Sequence, residues 1–300
     1  MTSSVDAVHD HLLSDGRTLL VRAYGDPDGA PCLYIPGTPA SGLAGALYDD
    51  AARAAGVRLL SVDKPGYGRS TYERGRTLMG FAADLEHLAD GLGLVRFAVI
   101  GESGGGPHAL AVAHSLAHRI TLAVVIAGMG RAEDPTVLAE MKPANRRLVS
   151  LARRGPWAVR LPMALTRRAL RSPHGRKRLI AATLAAAGPG DARALHDMAA
   201  VHDVTAVAHD ALRRSSRGAA QELALLARPW GFEPSDIRCP VELWHGSEDV
   251  NVPAAVAEGL ARQVPGAVAR VLTGEGHAVG WSQRHGLMAT VARSLTGIPG

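Results

Sequence analysis

Short apolar segments alternate with helix-like segments along most of this 300-residue chain, and no other feature of the sequence constrains its fold as strongly. The strand-like segments, rich in Val, Leu and Ile, span residues 19–24, 32–35, 57–62, 97–100, 120–127, 241–244 and 267–272. The helix-like segments span residues 40–55, 78–92, 107–117, 253–263 and 281–295. Continuous apolar strands that alternate with helices predict a parallel sheet covered by helices on both faces.

The alternation stops in the middle of the chain. Residues 130–230 contain no convincing strand-like segment and have a helical character, interrupted at several Gly and Pro positions. We therefore predict an α/β core formed by residues 1–129 and 231–300, with a helical unit of residues 130–230 inserted into it. A chain of this length suits one large domain with such an insertion.

Charge is unevenly distributed along the chain. The formal net charge is +5, yet twelve basic residues and no acidic residue lie between positions 141 and 190, so the rest of the chain is net negative. Three interpretations are open: a solvated arginine-rich face, attraction of an anionic substrate or an acidic carrier, and association with a membrane surface. Nucleic-acid binding is disfavoured because no recognition motif accompanies the charge.

Targeting and redox features of the sequence are few. The N-terminus has no basic segment followed by an apolar one, and no apolar run reaches the roughly 18 residues of a membrane span. We therefore expect a cytoplasmic protein without a transmembrane segment. Its two cysteines, Cys32 and Cys239, belong to no CxxC or Cys/His cluster, so we expect reduced thiols and no metal site.

A glycine-rich turn follows the strand-like segment 97–100. The sequence from residue 101 is Gly-Glu-Ser-Gly-Gly-Gly, and a helix-like segment comes next. Such a turn can bind a phosphate at the helix N-terminus, as in dinucleotide-binding folds. That interpretation needs an acidic residue at the end of the next strand or a Walker lysine, and neither is in place. The alternative is a G-x-S-x-G nucleophile elbow that exposes Ser103 at the carboxyl edge of the sheet.

Two later segments carry the partners that a serine nucleophile needs, which are a histidine base and a carboxylate that orients it. Glu248 and Asp249 follow the strand-like segment 241–244, and His277 follows the next one. The carboxyl ends of parallel strands meet at one edge of a sheet, so these residues are expected to converge on Ser103. Ser103 is thus the candidate nucleophile and His277 the candidate base, with Glu248 and Asp249 as alternative acids.

These residues and several turns resemble the α/β-hydrolase superfamily over nearly all of residues 10–296. The likeness is carried by its oxyanion loop, its D-x-P-G-x-G-x-S turn, its acid loop and its histidine loop, at residues 35–39, 63–70, 246–249 and 276–277. The resemblance implies an α/β fold with a mostly parallel eight-stranded sheet flanked by helices. It also makes residues 130–230 an inserted helical cap.

The resemblance further implies roles for individual residues. It selects Asp249 as the acid, and it assigns the oxyanion hole to the backbone N–H groups of Thr38 and Gly104. The His-Gly pair that commonly precedes the oxyanion residue in the family is Pro36-Gly37 here. Hydrogen bonding around that loop is therefore expected to differ from the common pattern.

The predicted activity is hydrolysis of a carboxylic ester, thioester or lactone through an acyl-enzyme on Ser103. No metal or organic cofactor is required, and the expected partner is a small acyl substrate, with an anionic or carrier-bound acyl group as an alternative. Glu102, next to the nucleophile, and Trp230, where the insertion returns to the core, are candidate pocket residues. Two other functions stay open: non-hydrolytic acyl transfer, lyase or cyclase chemistry, and ligand binding without turnover.

Overall fold

In the computed structural model, which describes residues 7–131, 141–201, 203 and 205–296, eight strands form one sheet. The strands are β1 Ala7–Leu12, β2 Thr18–Gly25, β3 Ala30–Ile35, β4 Val57–Val62, β5 Phe97–Glu102, β6 Ile120–Ile126, β7 Val241–Gly246 and β8 Val268–Leu272. Their order across the sheet is β1-β2-β4-β3-β5-β6-β7-β8. Of these eight described strands, β2 alone runs in the direction opposite to the other seven. The predicted fold, α/β with a mostly parallel eight-stranded sheet, is confirmed.

Strand β1 is not predicted by the apolar alternation. Its sequence is Ala-Val-His-Asp-His-Leu, and its side chains at residues 8–10 and 12 are exposed. It lies at the edge of the sheet and pairs only with β2 among the described strands. An edge strand is fixed by its backbone ladder and needs no continuous apolar run, so the sequence pattern carries little signal for it.

Helices flank the sheet on both faces. The described α-helices of the whole chain are α1 Asp49–Ala54, α2 Leu78–Gly91, α3 Gly106–Ser115, α4 Pro143–Arg153, α5 Pro156–Leu170, α6 Pro173–Ala186, α7 Pro189–Val201, α8 Ala206–Ala211, α9 Arg217–Leu226, α10 Ala255–Gln263, α11 Val279–Ser282 and α12 Arg284–Thr296. Apolar side chains of α2, α3 and α10 form one core cluster with the sheet, and those of α1 and α12 form another. Along β5, Val99 belongs to the first cluster and Ile100 to the second, as expected for a strand buried on both faces.

One predicted helix differs clearly from the structure. The segment 40–55 begins as a 3-10 helix, Gly42–Tyr48, and only its end is the α-helix α1. Gly45 packs directly on Tyr24, because a Cβ at this position would lie 2.6 Å from the tyrosine ring. The glycines that permit this close approach also weaken α-helix formation, which explains the irregular first half.

Between β6 and β7 the described residues form six α-helices and no strand, and we call α4–α9 the helical insertion. Helices α4, α5 and α9 pack on one another in a third apolar cluster, which also contains Tyr67 of the core. The predicted limits of the insertion, residues 130 and 230, stay a prediction. Residues 132–140, next to its predicted start, lie outside the described residues.

Two observations bear on redox chemistry and membranes. Both cysteines are buried free thiols, and burial raises the pKa of Cys239 to about 11, which keeps this thiol protonated at neutral pH. In the described part of the chain, no helix is long and apolar enough to cross a membrane.

Candidate active site

Ser103 lies at the sharp turn between β5 and α3, at the carboxyl edge of the sheet. Its φ angle is +51°, a left-handed backbone conformation that non-glycine residues rarely adopt. Glycines make the turn possible: a Cβ on Gly101 would lie 2.3 Å from the Gly105 carbonyl oxygen, and one on Gly105 would lie 2.1 Å from the Ile35 carbonyl oxygen. The turn therefore has the strained strand-to-helix geometry that the G-x-S-x-G pattern predicts.

His277 links Ser103 to Asp249. Its Nε2 atom lies 3.1 Å from Ser103 Oγ, and its Nδ1 atom lies 2.7 Å from Asp249 Oδ2. Asp249 follows β7 and His277 follows β8, so both reach the edge at which β5 delivers Ser103. The structure thus brings together the three residues named from the sequence. Glu248, the alternative acid, has an exposed side chain instead.

The Asp249 carboxylate is enclosed by hydrogen-bond donors. Its Oδ1 atom accepts from the N–H groups of Asn251 at 2.8 Å and Val252 at 3.0 Å, and Oδ2 lies 3.2 Å from His245 Nε2. Burial alone would raise the pKa of Asp249, but the hydrogen bonds from His245 and His277 hold it well below its usual range. An ionised carboxylate can keep His277 protonated at Nδ1, which leaves Nε2 free to accept a proton.

The pKa of His277 is raised above its ordinary value. Burial alone would lower this pKa, but the hydrogen bond and charge of Asp249 raise it, and the charges of Glu102 and Asp191 add to the effect. The side chain is still 26% exposed, so the ring borders open space. A base with these neighbours can hold a proton transiently during a reaction at Ser103.

The backbone N–H groups of Thr38 and Gly104 belong to two segments that meet beside the elbow. A Cβ on Gly104 would lie 2.4 Å from Thr38 Oγ1, and a Cβ on Gly37 would lie 3.2 Å from Ser103 Cβ. Among the described residues, neither of the two amides has a hydrogen-bond acceptor. Both groups can therefore donate to an oxygen atom of a molecule bound at Ser103.

A buried ionic contact lies behind this loop. Lys64 Nζ donates to the carbonyl oxygens of Pro36 at 2.6 Å and Gly37 at 3.0 Å, and it lies 2.6 Å from Glu222 Oε1. The hydroxyl of Thr38 donates to the same Glu222 oxygen at 2.6 Å. The loop is therefore held by one lysine of the core and one carboxylate of α9.

Glu222 carries its charge in the interior. Its second oxygen, Oε2, lies 2.9 Å from Arg76 Nη2, and all three charged side chains of this cluster are 0–1% exposed. Burial alone would raise the pKa of Glu222, but Lys64, His108 and Arg76 hold it well below the ordinary value. Sequence reasoning did not single out this carboxylate, and its position on a helix far along the chain gave no signal for it.

A cavity of about 290 Å³ opens at Ser103 and His277. The helical insertion contributes part of its lining, namely Thr183, Asp191, Leu195, Met198 and Val207. Among the described lining residues, Glu102 and Asp191 are the carboxylates and no lysine or arginine is present. No described group of three or more His, Cys, Asp or Glu side chains is arranged to hold a metal ion.

The two carboxylates of the cavity are anchored differently. Glu102 accepts hydrogen bonds from the hydroxyls of Tyr34 and Tyr48, the second at 3.1 Å. Asp191, near the start of α7, accepts from the Ala278 N–H at 2.8 Å and so connects the helical insertion to the histidine loop. Burial raises the pKa of Asp191. Glu102 thus lies at the cavity, as expected from its position next to Ser103, and Asp191 is a second carboxylate there that was not predicted.

An apolar chamber of about 360 Å³ lies next to this cavity, within the helical insertion. The two spaces share four residues, Pro39, Thr183, Leu195 and Met198. The rest of the chamber is lined by Thr166, Leu170, Leu179, Ile180, Leu184, Thr205 and Ala208. None of these described side chains is ionisable, so the apolar chamber suits an uncharged group.

Trp230 does not reach the cavity at Ser103. It is 2% exposed and belongs to the core cluster that includes α2 and α3, with its ring 5.7 Å from that of Phe232. It borders a separate depression near Arg76 and Met79. The expectation for Trp230 is corrected, because the chain returns from α9 to the sheet on the face covered by α2 and α3.

Comparisons with known proteins agree with this architecture. A model of the alpha/beta hydrolase family matches residues 32–290. The fold is similar to that of an enol-lactonase from Burkholderia xenovorans, at 22% identity and a TM-score of 0.68 over 96% of this chain and 100% of that one. It is also similar to a thermophilic esterase from Thermogutta terrifontis, at 20% identity and a TM-score of 0.66 over 97% of this chain and 98% of that one. None of the curated proteins compared with the sequence matches it. Because the family match covers most of the chain, the protein belongs to the alpha/beta hydrolase family.

Proposed function

We propose that the protein is a serine hydrolase that cleaves a carboxylic ester, or a thioester or lactone, through an acyl-enzyme on Ser103. The observation that carries the proposal is the continuous hydrogen-bonded series Ser103–His277–Asp249, with its 3.1 Å and 2.7 Å contacts. Nucleophile, base and orienting carboxylate occupy the relative positions that this chemistry needs. The names of two similar structures, an esterase and an enol-lactonase, are compatible with it.

In this mechanism Ser103 Oγ attacks the substrate carbonyl carbon while His277 Nε2 takes the hydroxyl proton. The carbonyl oxygen becomes an oxyanion, which accepts hydrogen bonds from the N–H groups of Thr38 and Gly104. Collapse of the intermediate breaks the bond to the leaving alcohol, and His277 returns the proton to it. Water then attacks the acyl-enzyme with the same base, which releases the acid and restores Ser103.

The helical insertion acts as a cap over this site. Support comes from Thr183, Asp191 and Leu195, which line the catalytic cavity from the insertion. The favoured substrate is an uncharged ester with an apolar group of moderate size in the apolar chamber. An anionic acyl group is disfavoured, because the carboxylates of Glu102 and Asp191 would repel it and no cation lines the described cavity.

A fluorophosphonate probe tests the nucleophile. We expect rapid covalent labelling of the unmodified protein, no labelling of Ser103→Ala above background, and loss of ester hydrolysis in the same variant. Ser115→Ala, at an exposed position at the end of α3, is the matched control and should label normally. Equal labelling of the Ser103→Ala variant would refute the proposal.

Product analysis separates hydrolysis from acyl transfer. Hydrolysis with a water nucleophile gives the free acid even when a second alcohol is present at moderate concentration. Formation of mainly the new ester would instead identify an acyltransferase that uses the same residues.

A further inference from the structure

Helix α5 exposes a row of large apolar side chains. Trp157, Leu161 and Leu165 are 68%, 68% and 57% exposed. Their i, i+4, i+8 spacing places them on one face of the helix. The opposite face carries Val159 and Met163, which are buried in the apolar cluster of the helical insertion. The helix is thus already packed on its inner side, and the exposed row is additional to that packing.

Arginines surround the row. Arg160, Arg168 and Arg171 are exposed, and none of them pairs with a carboxylate in the described part of the chain. A surface depression with a volume of about 440 Å³ lies directly beside Trp157. It is lined by Tyr72, Arg74, Pro156, Trp157, Arg160, Arg217 and Ala220, so it carries three arginines and no carboxylate.

This combination fits the boundary of a lipid bilayer. Large apolar side chains stabilise binding when they enter the acyl region, because their surface is removed from water. Arginines beside them meet the lipid phosphates, and the negative potential of an anionic surface attracts them. Tryptophan favours the level of the headgroups. The row from Trp157 to Leu165 extends about 12 Å along the helix axis, so the helix can lie in the plane of the surface.

We propose that the α5 face, formed by Trp157, Leu161, Leu165 and the arginines around them, docks the protein on the surface of an anionic lipid bilayer. Residues 141–190, which include α5, contain twelve basic and no acidic residues, so this segment brings only positive charge to the surface. A second copy of the chain is a poorer occupant, because a symmetric contact would place arginines against arginines.

The same helix connects this surface to the interior. Thr166 and Leu170, on the inner side of α5, line the apolar chamber, which lies next to the cavity at Ser103. A docked protein would therefore hold its apolar chamber close to the bilayer, where apolar esters partition. The docking itself does not depend on the chemistry proposed for Ser103, and the Ser103→Ala variant should dock as well as the unmodified protein.

Co-sedimentation of the full chain with vesicles tests the docking. We expect binding to vesicles of phosphatidylglycerol and phosphatidylcholine, weaker binding at high salt, and little binding to phosphatidylcholine alone. The double variant Leu161→Ser/Leu165→Ser should lower the affinity at least ten-fold. Val95→Ser is the matched control, since Val95 is 79% exposed in the turn before β5, at the opposite edge of the sheet.

A charge variant tests the arginines separately. Arg160→Glu/Arg168→Glu should abolish the preference for anionic vesicles, whereas Arg96→Glu, at another exposed position, should keep it. Circular dichroism and fluorophosphonate labelling report whether each variant is folded.

Three results would overturn the proposal. The first is equal binding to neutral and anionic vesicles at low salt, or no binding to either. The second is a dimer in sedimentation velocity that disappears in the leucine variant, which would identify a second copy of the chain as the occupant. The third is binding to polyglutamate with the same sensitivity to Leu161→Ser/Leu165→Ser, which would identify an acidic protein instead.

Discussion

The hydroxyl of Thr38 donates a 2.6 Å hydrogen bond to Glu222, and this bond joins the proposed oxyanion loop to the last helix of the helical insertion. Lys64 holds the same loop through the carbonyl oxygens of Pro36 and Gly37. Proline at position 36 has no side-chain hydrogen-bond donor that could hold the loop. The contacts that hold it come instead from Lys64 and Glu222, which lie behind it. In the proposed mechanism, restraint of this kind would keep the Thr38 N–H in place to donate to the oxyanion.

Replacement of Thr38 by Val removes this hydrogen bond and preserves the shape of the side chain. We expect kcat for ester hydrolysis to fall roughly ten-fold with little change in KM, because the direction of the amide matters most in the transition state. The free energy of unfolding should fall by about 1–2 kcal/mol, since one buried hydrogen bond is lost. Steady-state kinetics and denaturant unfolding measure the two effects.

Thr290→Val is the control, because the Thr290 hydroxyl is exposed and bonds only within α12. A Thr38→Val variant with lowered stability and unchanged kcat would restrict the Glu222 contact to a structural role.

The proposed catalytic residues could be predicted from the sequence because each follows a strand. Ser103, Asp249 and His277 come after β5, β7 and β8, and parallel strands present their carboxyl ends at one edge. Chain order and strand direction are therefore enough to predict that these side chains converge.

The contact between Thr38 and Glu222 could not be predicted in this way. The two residues are separated by 184 positions, and they meet only because α9 packs against the proposed oxyanion loop. Tertiary packing of an inserted helix has no fixed register relative to the strands, so the sequence pattern carries no information on it. The same reason explains why the expected position of Trp230 was wrong and why Asp191 was not foreseen.

The identity of the acid is tested by replacing the two neighbouring carboxylates in turn. Asp249→Asn should lower kcat about 10⁴-fold, because an amide donates to His277 Nδ1 and selects the wrong tautomer. Glu248→Gln should leave kcat within about two-fold, because its exposed side chain does not bond to the ring. If kcat fell by a similar factor in both variants, the cause would be damage to the loop that carries them. The assignment of Asp249 as the residue that orients the base would then be contradicted.

The steric need for glycine at the elbow can be tested by comparing an alanine substitution there with one at a glycine that has room for a methyl group. Gly105→Ala would place a methyl group 2.1 Å from the Ile35 carbonyl oxygen, so β3 and the elbow must separate. We expect a loss of about 3 kcal/mol or more in the free energy of unfolding, together with loss of activity. Gly286→Ala, in α12 with no atom within 4 Å of the added carbon, should stabilise the protein by up to about 1 kcal/mol. Thermal unfolding distinguishes the two, and a Gly105→Ala variant of normal stability would contradict the steric argument.

The pH dependence of activity should follow His277. The base must be neutral to take the proton of Ser103, so kcat/KM should fall as the pH drops through a pKa above the ordinary histidine value. Glu102→Gln removes one of the negative charges that raise this pKa, so the fall should move to lower pH. The control Glu258→Gln, at an exposed position on α10, should leave the profile unchanged. A shift to higher pH in the Glu102→Gln variant would contradict the assignment of His277 as the base.

The apolar chamber should set the preferred length of the substrate chain. In a series of linear acyl esters we expect kcat/KM to rise roughly four-fold with each added methylene until the chamber is full, because each buried CH₂ contributes about 0.8 kcal/mol. Thr166 lines the chamber but not the cavity at Ser103, so Thr166→Phe shortens the space without touching the nucleophile. This variant should lose at least ten-fold in kcat/KM on long chains and remain within about two-fold on an acetyl ester. Equal losses on all chain lengths would indicate a damaged fold, and a flat chain-length series in the unmodified protein would show that the acyl group binds elsewhere.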